Sequence, residues 1–343
     1  MKPRIAMTLG DPAGIGPELI AKLFADPSAL RQAEILLIAD RHEVEEGMRV
    51  ARAKFEYRMV DSLDDVPFGE LPLLYDFRGT ATGPFVRQQS SSAGGRYSLD
   101  TLKVALDATA SGKTSVVMFA PLNKSSLHMA GMTSADELHW FAGQLGYTGP
   151  VCEFNVMDGF WTSRVTSHVP LRDVPGLITP PRVIEAVDLI DGMLRRSGIE
   201  DPRIAVCGLN PHCGDEGNFG REEIDVIGPA VAQARASGIQ VSGPFPADTI
   251  FLKVQGSQRA YDAIVTMYHD QGQIAMKLMG FSRGVTLLGG LPIPIVTPAH
   301  GTAFDIATKG VANVGATRQA FEMACRLGSN DHRSRVSNQA IAR

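Results

Sequence analysis

An α/β fold, with helices covering a parallel or mixed sheet, is what this sequence predicts, and three observations carry the prediction. Short apolar runs with β-branched residues recur at Arg4–Leu9, Ala33–Ala39, Ser115–Phe119, Arg203–Leu209 and Ala263–Met267, as buried strands require. Segments with apolar residues at helical spacing alternate with them along the whole chain, the pattern of a helix-covered sheet. The 343 residues, 44% of them hydrophobic, suit two such domains or one large one.

Taken in order, the first strand runs into Gly10–Glu18 (GDPAGIGPE) and then a helix from about Pro17 to Phe24. Pro17 suits a first helical turn and Glu18 its positive dipole end. The glycine spacing is not that of a Rossmann turn, yet a strand–loop–helix junction still offers backbone N–H groups to an anion or substrate. Residues 41 to 75 carry weak, mixed signals, and Arg78–Arg96, rich in Gly and Ser, is expected to be a mobile loop. A helix follows over Leu99–Ser111. Gly112-Lys113-Thr114 resembles the end of a phosphate-binding loop, but it precedes a strand and lacks the upstream glycine. Ala120–Lys124 (APLNK) leaves the next strand and suits an active-site edge or a plain turn. Val151–Met157 and Trp161–Thr166 read as a hairpin turning at Asp158-Gly159. Pro181–Ser197 and Glu222–Ser237 are expected helices, Gly243–Thr249 a turn delivering Asp248, and the polar tail from Gly328 frayed.

Composition excludes several classes. The formal net charge is −4 with charges spread along the chain, which is no nucleic-acid footprint. Four cysteines without C-x-x-C pairing make no disulfide framework and suit a reducing cytoplasm. Asp11 and Glu18 stand where a signal peptide would need apolar residues, and no apolar run is long enough to span a membrane.

The chemistry concentrates between Tyr261 and Ala320. Tyr268, His269, Asp270 and Gln271 follow an apolar strand directly, where open α/β sheets place ligands. Lys277 lies eight residues on, and His300–Asp305 packs hydrogen-bonding groups around a glycine. Separately these are a satisfied histidine, a snorkelling lysine and a loop; together they favour a site. His168, His212 and His269 each follow a strand. They form no short H-x₃-H pair, but three strand-end imidazoles can converge at one carboxyl edge, and three protein ligands with open positions suit a catalytic metal.

Eight motifs in order extend this reading: GDPAGIGPE, APLNK, SHVPLRD (Ser167–Asp173), GLNPH (Gly208–His212), FGREEID (Phe219–Asp225), GPFPADT, MYHDQG (Met267–Gly272) and HGTAFDIA (His300–Ala307). The series resembles the 4-hydroxythreonine-4-phosphate dehydrogenase family of pyridoxal-phosphate biosynthesis over nearly the whole chain, with a divergent stretch from about 40 to 95. The resemblance implies two α/β domains flanking a cleft, as in isocitrate and isopropylmalate dehydrogenases. The first would take residues 1–128 and 299–343 with the nucleotide loop. The second would take 129–298 with the metal site and a dimer interface. It implies a homodimer with a shared active site, a metal held by His168, His212 and His269, and a substrate lysine at Lys277. It implies NAD (or NADP) on His300, Gly301, Thr302, Ala303, Asp305 and Asn313. Zinc is the expected metal, with manganese, cobalt and magnesium as alternatives. The chemistry implied is oxidation of a β-hydroxy acid followed by decarboxylation. Lys277 would hold the carboxylate or shuttle a proton, and Asp248 and Asp270 would orient imidazoles.

The departures fall on substrate contacts. The family's His and Thr align with Ala135 and Asp136, an Asn with Thr286 and an Arg with Ile295. Losing Arg removes the natural partner of a phosphate. An added carboxylate at ~4 Å would repel a phosphate by roughly 4 kcal/mol at an effective dielectric of 20. These changes lead to the expectation of a catabolic relative such as terephthalate cis-dihydrodiol dehydrogenase. The alternatives are 4-hydroxythreonine-4-phosphate dehydrogenase itself and an enzyme of four-carbon acid phosphates. A non-redox transferase would have no reason to carry the HGTAFDIA loop, a structural metal would need a fourth ligand, and a binding protein would not need Lys277.

Overall fold

The computed structural model describes residues 2–77, 85–256, 258–280 and 283–341, with side chains to residue 330. Its strands are β1 (Arg4–Thr8), β2 (Glu34–Ala39), β3 (Arg58–Val60), β4 (Leu73–Asp76), β5 (Val116–Phe119), β6 (Cys152–Met157), β7 (Phe160–Arg164), β8 (Ile204–Cys207), β9 (Val241–Phe245), β10 (Ala263–Thr266), β11 (Val285–Gly289) and β12 (Ile295–Pro298). The chain divides into two compact units: residues 1–148, 282–286 and 291–343, and residues 149–281 and 287–290.

These limits differ from the expected 128/129 and 298/299 boundaries for physical reasons. Leu127, Ala130 and Met132 cluster with Leu99, Leu122 and Trp140, which draws the segment after 128 into the first unit. β12 pairs with β5, matching Ile295 to Val117, so it belongs there too.

In the first unit the strands run in the order β3-β4-β2-β1-β5-β12, and the pairs are parallel. Ile5 registers with Ile35 on one side and Val116 on the other. These strands are buried on both faces, which explains their unbroken apolar runs. The loops after β1, β5 and β12 are GDPAGIGPE, APLNK and HGTAFDIA, so neighbouring strands bring three motifs to one carboxyl edge. The helix Gly16–Phe24 has proline and Glu18 in its first turn, as expected.

The expected loop over Arg78–Arg96 is only partly borne out. Residues 78–84 lie outside the described residues. Residues 92–96 open the helix Ser92–Ala110, capped by the Ser91 side chain accepting the Gly94 N–H at 3.0 Å. The glycines there serve close packing: a Cβ on Gly95 would lie 1.9 Å from the Ser126 carbonyl oxygen.

In the second unit the order is β6-β7-β10-β8-β9. β7, β10, β8 and β9 pair in parallel. β6 and β7 form the expected antiparallel hairpin, Asn155 opposite Thr162, turning through Asp158 (φ 50°) and Gly159 (φ 79°). Three other readings change. Val241–Phe245 is strand, so the expected turn at Gly243 begins only beyond Phe245. The helix expected from Glu222 starts as a π turn over Glu223–Ile227 before Gly228–Ala236. The last helix, Gly315–Ile341, continues through the tail expected to fray.

Candidate active site

All three candidate histidines lie on the second unit. His168 follows β7, His269 opens the helix after β10, and His212 lies in the loop after β8. Because β7, β10 and β8 are parallel neighbours, these loops leave the same carboxyl edge. The rings of His168 and His269 approach to 5.6 Å between centroids at 42°. His269 Nδ1 lies 2.7 Å from Asp270 Oδ1, which leaves its Nε2 as the outward nitrogen. That is the carboxylate-oriented imidazole typical of metal ligands.

Among the described residues no group of three or more His, Cys, Asp or Glu side chains is gathered so as to hold a metal ion. The pair of His168 and His269 fits two ligands of an imidazole site. Lys277 is exposed near the end of the helix His269–Gly280, about 12 Å along the axis from His269 at 1.5 Å per residue. Asp248 is exposed on the short helix Ala247–Ile250; the Cys213 thiol is pushed up by burial first, then by the Glu223 and Asp248 carboxylates.

The backbone around these histidines is strained. His168 has φ 53°, and His212, Cys213, Gly214, Asp215 and Glu216 form a run at 53°, 57°, 81°, 45° and 56°. Left-handed backbone costs roughly 1–2 kcal/mol per non-glycine residue and persists where the surroundings hold it. The holder is Glu223, on the π turn. It is 4% exposed, its Oε1 accepts the Leu209 and Asn210 N–H groups at 2.7 Å each, and its Oε2 accepts from Asn210 Nδ2 at 3.0 Å. On the other side Arg164 donates to Ser167 Oγ at 2.9 Å, bracing the residue before His168.

The first unit carries the expected nucleotide residues in a loop with its own strained points, Ala303 (φ 43°) and Thr308 (φ 71°). Gly301, Asp305 and Asn313 are exposed, while Thr302 is buried. The Asn313 side-chain oxygen accepts the Gly315 N–H at 2.8 Å, which leaves its amide NH₂ outward. His300 Nε2 is buried with no hydrogen-bond partner, and burial holds this imidazole below its usual pKa. A buried, neutral and orphaned ring nitrogen is what a bound polar cofactor would satisfy.

The candidate substrate residues behave differently from expectation. Ala135 is exposed. Asp136 is buried and caps the helix Glu137–Gln144, its Oδ1 2.9 Å from the His139 N–H and 2.6 Å from His139 Nδ1. Its Oδ1 thus serves its own helix and an exposed imidazole. Ile295 has no exposed surface and sits in the core of β12, so it offers nothing to a ligand. Thr286 is half-buried on β11. Ile295 therefore makes no case for an apolar substrate, while the arginine that would partner a phosphate is still missing at this position. The sequence assigns no role to His139, Glu223 or Arg164, although Glu223 lies within FGREEID and residues 136 and 139 show an Asp-x-x-His spacing.

Comparison with known proteins completes the picture. The sequence pattern of the family described as pyridoxal phosphate biosynthetic protein PdxA matches residues 24–324. The chain belongs to the PdxA family. A Pseudomonas aeruginosa protein provisionally named 4-hydroxythreonine-4-phosphate dehydrogenase 2 is 64% identical over 95% of this chain and 97% of its own. A Bradyrhizobium diazoefficiens protein provisionally named D-threonate 4-phosphate dehydrogenase is 38% identical over 95% and 96%. Among solved structures, a Klebsiella pneumoniae 4-hydroxythreonine-4-phosphate dehydrogenase superposes with TM-score 0.81 at 32% identity, covering 95% of this chain and all of the other. A terephthalate 1,2-cis-dihydrodiol dehydrogenase of Burkholderia xenovorans follows at TM-score 0.67 and 26% identity, covering 95% and 98%. As a PdxA-family dehydrogenase the chain is an NAD-dependent oxidoreductase acting on a CH–OH group. No helix among the described residues is long and apolar enough to cross a membrane.

Proposed function

We propose that this protein oxidises the 3-hydroxyl of a four-carbon 3-hydroxy acid 4-phosphate, with 4-phosphohydroxythreonine first and D-threonate 4-phosphate second. The finding that carries the reading is the names of the relatives, a 4-hydroxythreonine-4-phosphate and a D-threonate 4-phosphate dehydrogenase; the burial of Ile295 in β12 takes away the argument for an apolar carbon skeleton. This replaces the expectation of a dihydrodiol substrate.

In the proposed chemistry the C3 hydrogen leaves as hydride to the nicotinamide, the alcohol proton passes to a base, and the β-keto acid then loses carbon dioxide. The loop His300–Asn313 holds the dinucleotide, with His300 Nε2 and the Asn313 amide as polar contacts. His168 and His269 would hold a divalent metal, zinc by ligand type, with Asp270 fixing the His269 tautomer. When bound, that ion acidifies the alcohol and steadies developing negative charge as a Lewis acid. Lys277 pairs with the substrate carboxylate and can return a proton after decarboxylation.

We assign His212 and Lys277 to the site of a second copy in a homodimer. Exposed apolar residues on the histidine-bearing loops and nearby helices support this: Leu171, Phe219, Leu252, Ile274 and Leu278. Free thiols at Cys152, Cys207, Cys213 and Cys325 suit a cytoplasmic setting.

The test is NADH formation with 4-phosphohydroxythreonine, D-threonate 4-phosphate and terephthalate dihydrodiol side by side, with zinc or manganese supplied. Turnover of a phosphate ester is expected; turnover of the dihydrodiol alone refutes the reading. For the shared site, His168→Ala and His212→Ala proteins are inactive alone, and mixing them restores part of the activity. Mixtures that stay inactive although hybrids form would overturn it.

A further inference from the structure

We propose that Glu18 and Lys22, on the helix Gly16–Phe24, are positioning residues that hold the loop His300–Asn313 in its cofactor-binding shape and so set the affinity for NAD. This rests on the assignment of that loop to NAD. Glu18 is 2% exposed. Its Oε1 accepts the Ala312 N–H at 2.7 Å and Lys22 Nζ at 2.7 Å. Lys22 Nζ also donates to the carbonyl oxygens of Gly310 at 2.9 Å and Ala312 at 2.8 Å. An ammonium has three donors, and all three are used, two of them on the loop.

The grip falls at Gly310–Ala312, immediately before Asn313. Gly310 has φ +74°, and a Cβ there would lie 2.7 Å from the Val50 carbonyl oxygen, so the turn is pressed closely onto its neighbour. The other end of the loop is tied to the same element: the Ile15 N–H donates to the Thr302 carbonyl at 3.0 Å. Between the two ties, Ile15 and Leu19 pack on Ala307 and Ala312, and Gln88 Nε2 donates to the Ala307 carbonyl at 2.8 Å. An i,i+4 Glu–Lys pair on a helix is ordinarily a solvated surface pair. Here the carboxylate is buried and the pair's remaining hydrogen bonds go to a segment nearly three hundred residues away. Fixing a loop before the ligand arrives removes its ordering cost from binding. Loosening it lowers apparent affinity by the fraction of molecules still in the competent shape.

The test compares wild type with Glu18→Gln, Lys22→Met and the double variant Glu18→Gln/Lys22→Met. Lys22→Met alone leaves a buried charge unpaired and can fail to fold; the double variant removes both charges. Two readouts are taken: amide exchange at Ala312, and NAD affinity by calorimetry, with substrate KM and kcat at saturating NAD alongside. Glu18→Gln keeps the acceptor for Ala312 and is expected to stay within about threefold of wild type. The double variant is expected to exchange Ala312 faster and to bind NAD at least about tenfold more weakly, with kcat and substrate KM within about twofold. Unchanged Ala312 exchange overturns the proposal. So does a loosened loop with unchanged NAD affinity, or a parallel fall in kcat and substrate binding. Wild-type protein that does not bind NAD overturns the cofactor assignment itself. That result is distinguishable, because a failed latch leaves wild-type binding intact.

Discussion

Glu153 is the most informative single residue to remove. Its carboxylate meets Arg164 Nη2 at 2.6 Å, with side-chain exposures of 19% and 4%. The guanidinium also donates to Ser167 Oγ at 2.9 Å and to Asn155 Oδ1 at 3.3 Å. Breaking a buried ion pair from one side costs about 3–5 kcal/mol, because an uncompensated charge stays buried. Glu153 keeps some solvent access, so Glu153→Ala should lie at the low end, about 3 kcal/mol. For a unit of this size that lowers the thermal midpoint by roughly 6–12 °C. Replacing both partners with apolar residues, Glu153→Leu/Arg164→Met, should recover most of the loss. Unfolding is best followed with chelator present, so that a bound metal does not mask the difference. A loss below about 1 kcal/mol in Glu153→Ala, or a double variant worse than the single, would refute a buried, partner-dependent Arg164. The same arginine braces Ser167, so metal affinity at His168 should weaken in Glu153→Ala even below its melting range.

The remaining predictions concern both units. Asp270→Ala should weaken metal binding by about ten- to a hundredfold while leaving NAD affinity alone, since it removes the group orienting His269; metal titration against a chromophoric chelator reads it. Asp11 is fully buried after β1, and burial raises its carboxyl above the ordinary value near 3.8. The stability linked to that shift is present below 3.8 and lost as pH rises through the raised folded value. Asp11→Asn should therefore raise the melting temperature at pH 7 and lose that advantage below about pH 4; a lower melting temperature at pH 7 would contradict it. A Cβ on Gly14 would lie 2.8 Å from Thr302 Cβ and from its carbonyl oxygen. Gly14→Ala should thus displace the cofactor loop and cost NAD binding about 1–3 kcal/mol, measured by calorimetry.

Much of the fold was legible because buried parallel strands announce themselves: EILLIA and AIVT need no partner information to be read. The histidine-bearing loops were legible for the same reason, since each imidazole directly follows such a run. What stayed hidden is information that only packing supplies. The start of the helix Ser92–Ala110 reads as loop because Gly94 and Gly95 have poor helical propensity. The structure needs Gly95 for the approach of the Ser126 carbonyl. Nor could the letters say that the rings of His168 and His269 approach to 5.6 Å.

Ile295 shows most clearly where motif reading ends. Placed against a family arginine it becomes a specificity residue, and an apolar substrate follows. Placed in β12, in register with Val117 and without exposed surface, it is a core residue whose side chain reports on the sheet. A one-residue change of register in a strand exchanges its faces, so a motif match alone does not decide whether a strand residue meets ligand or core. Asp136 makes the same point through charge: repulsion of a phosphate assumed a carboxylate open to the ligand, whereas its Oδ1 serves His139 and the first turn of its own helix. A residue type predicts chemistry only after its hydrogen bonds are counted. For Asp136 they include the His139 N–H at 2.9 Å and His139 Nδ1 at 2.6 Å.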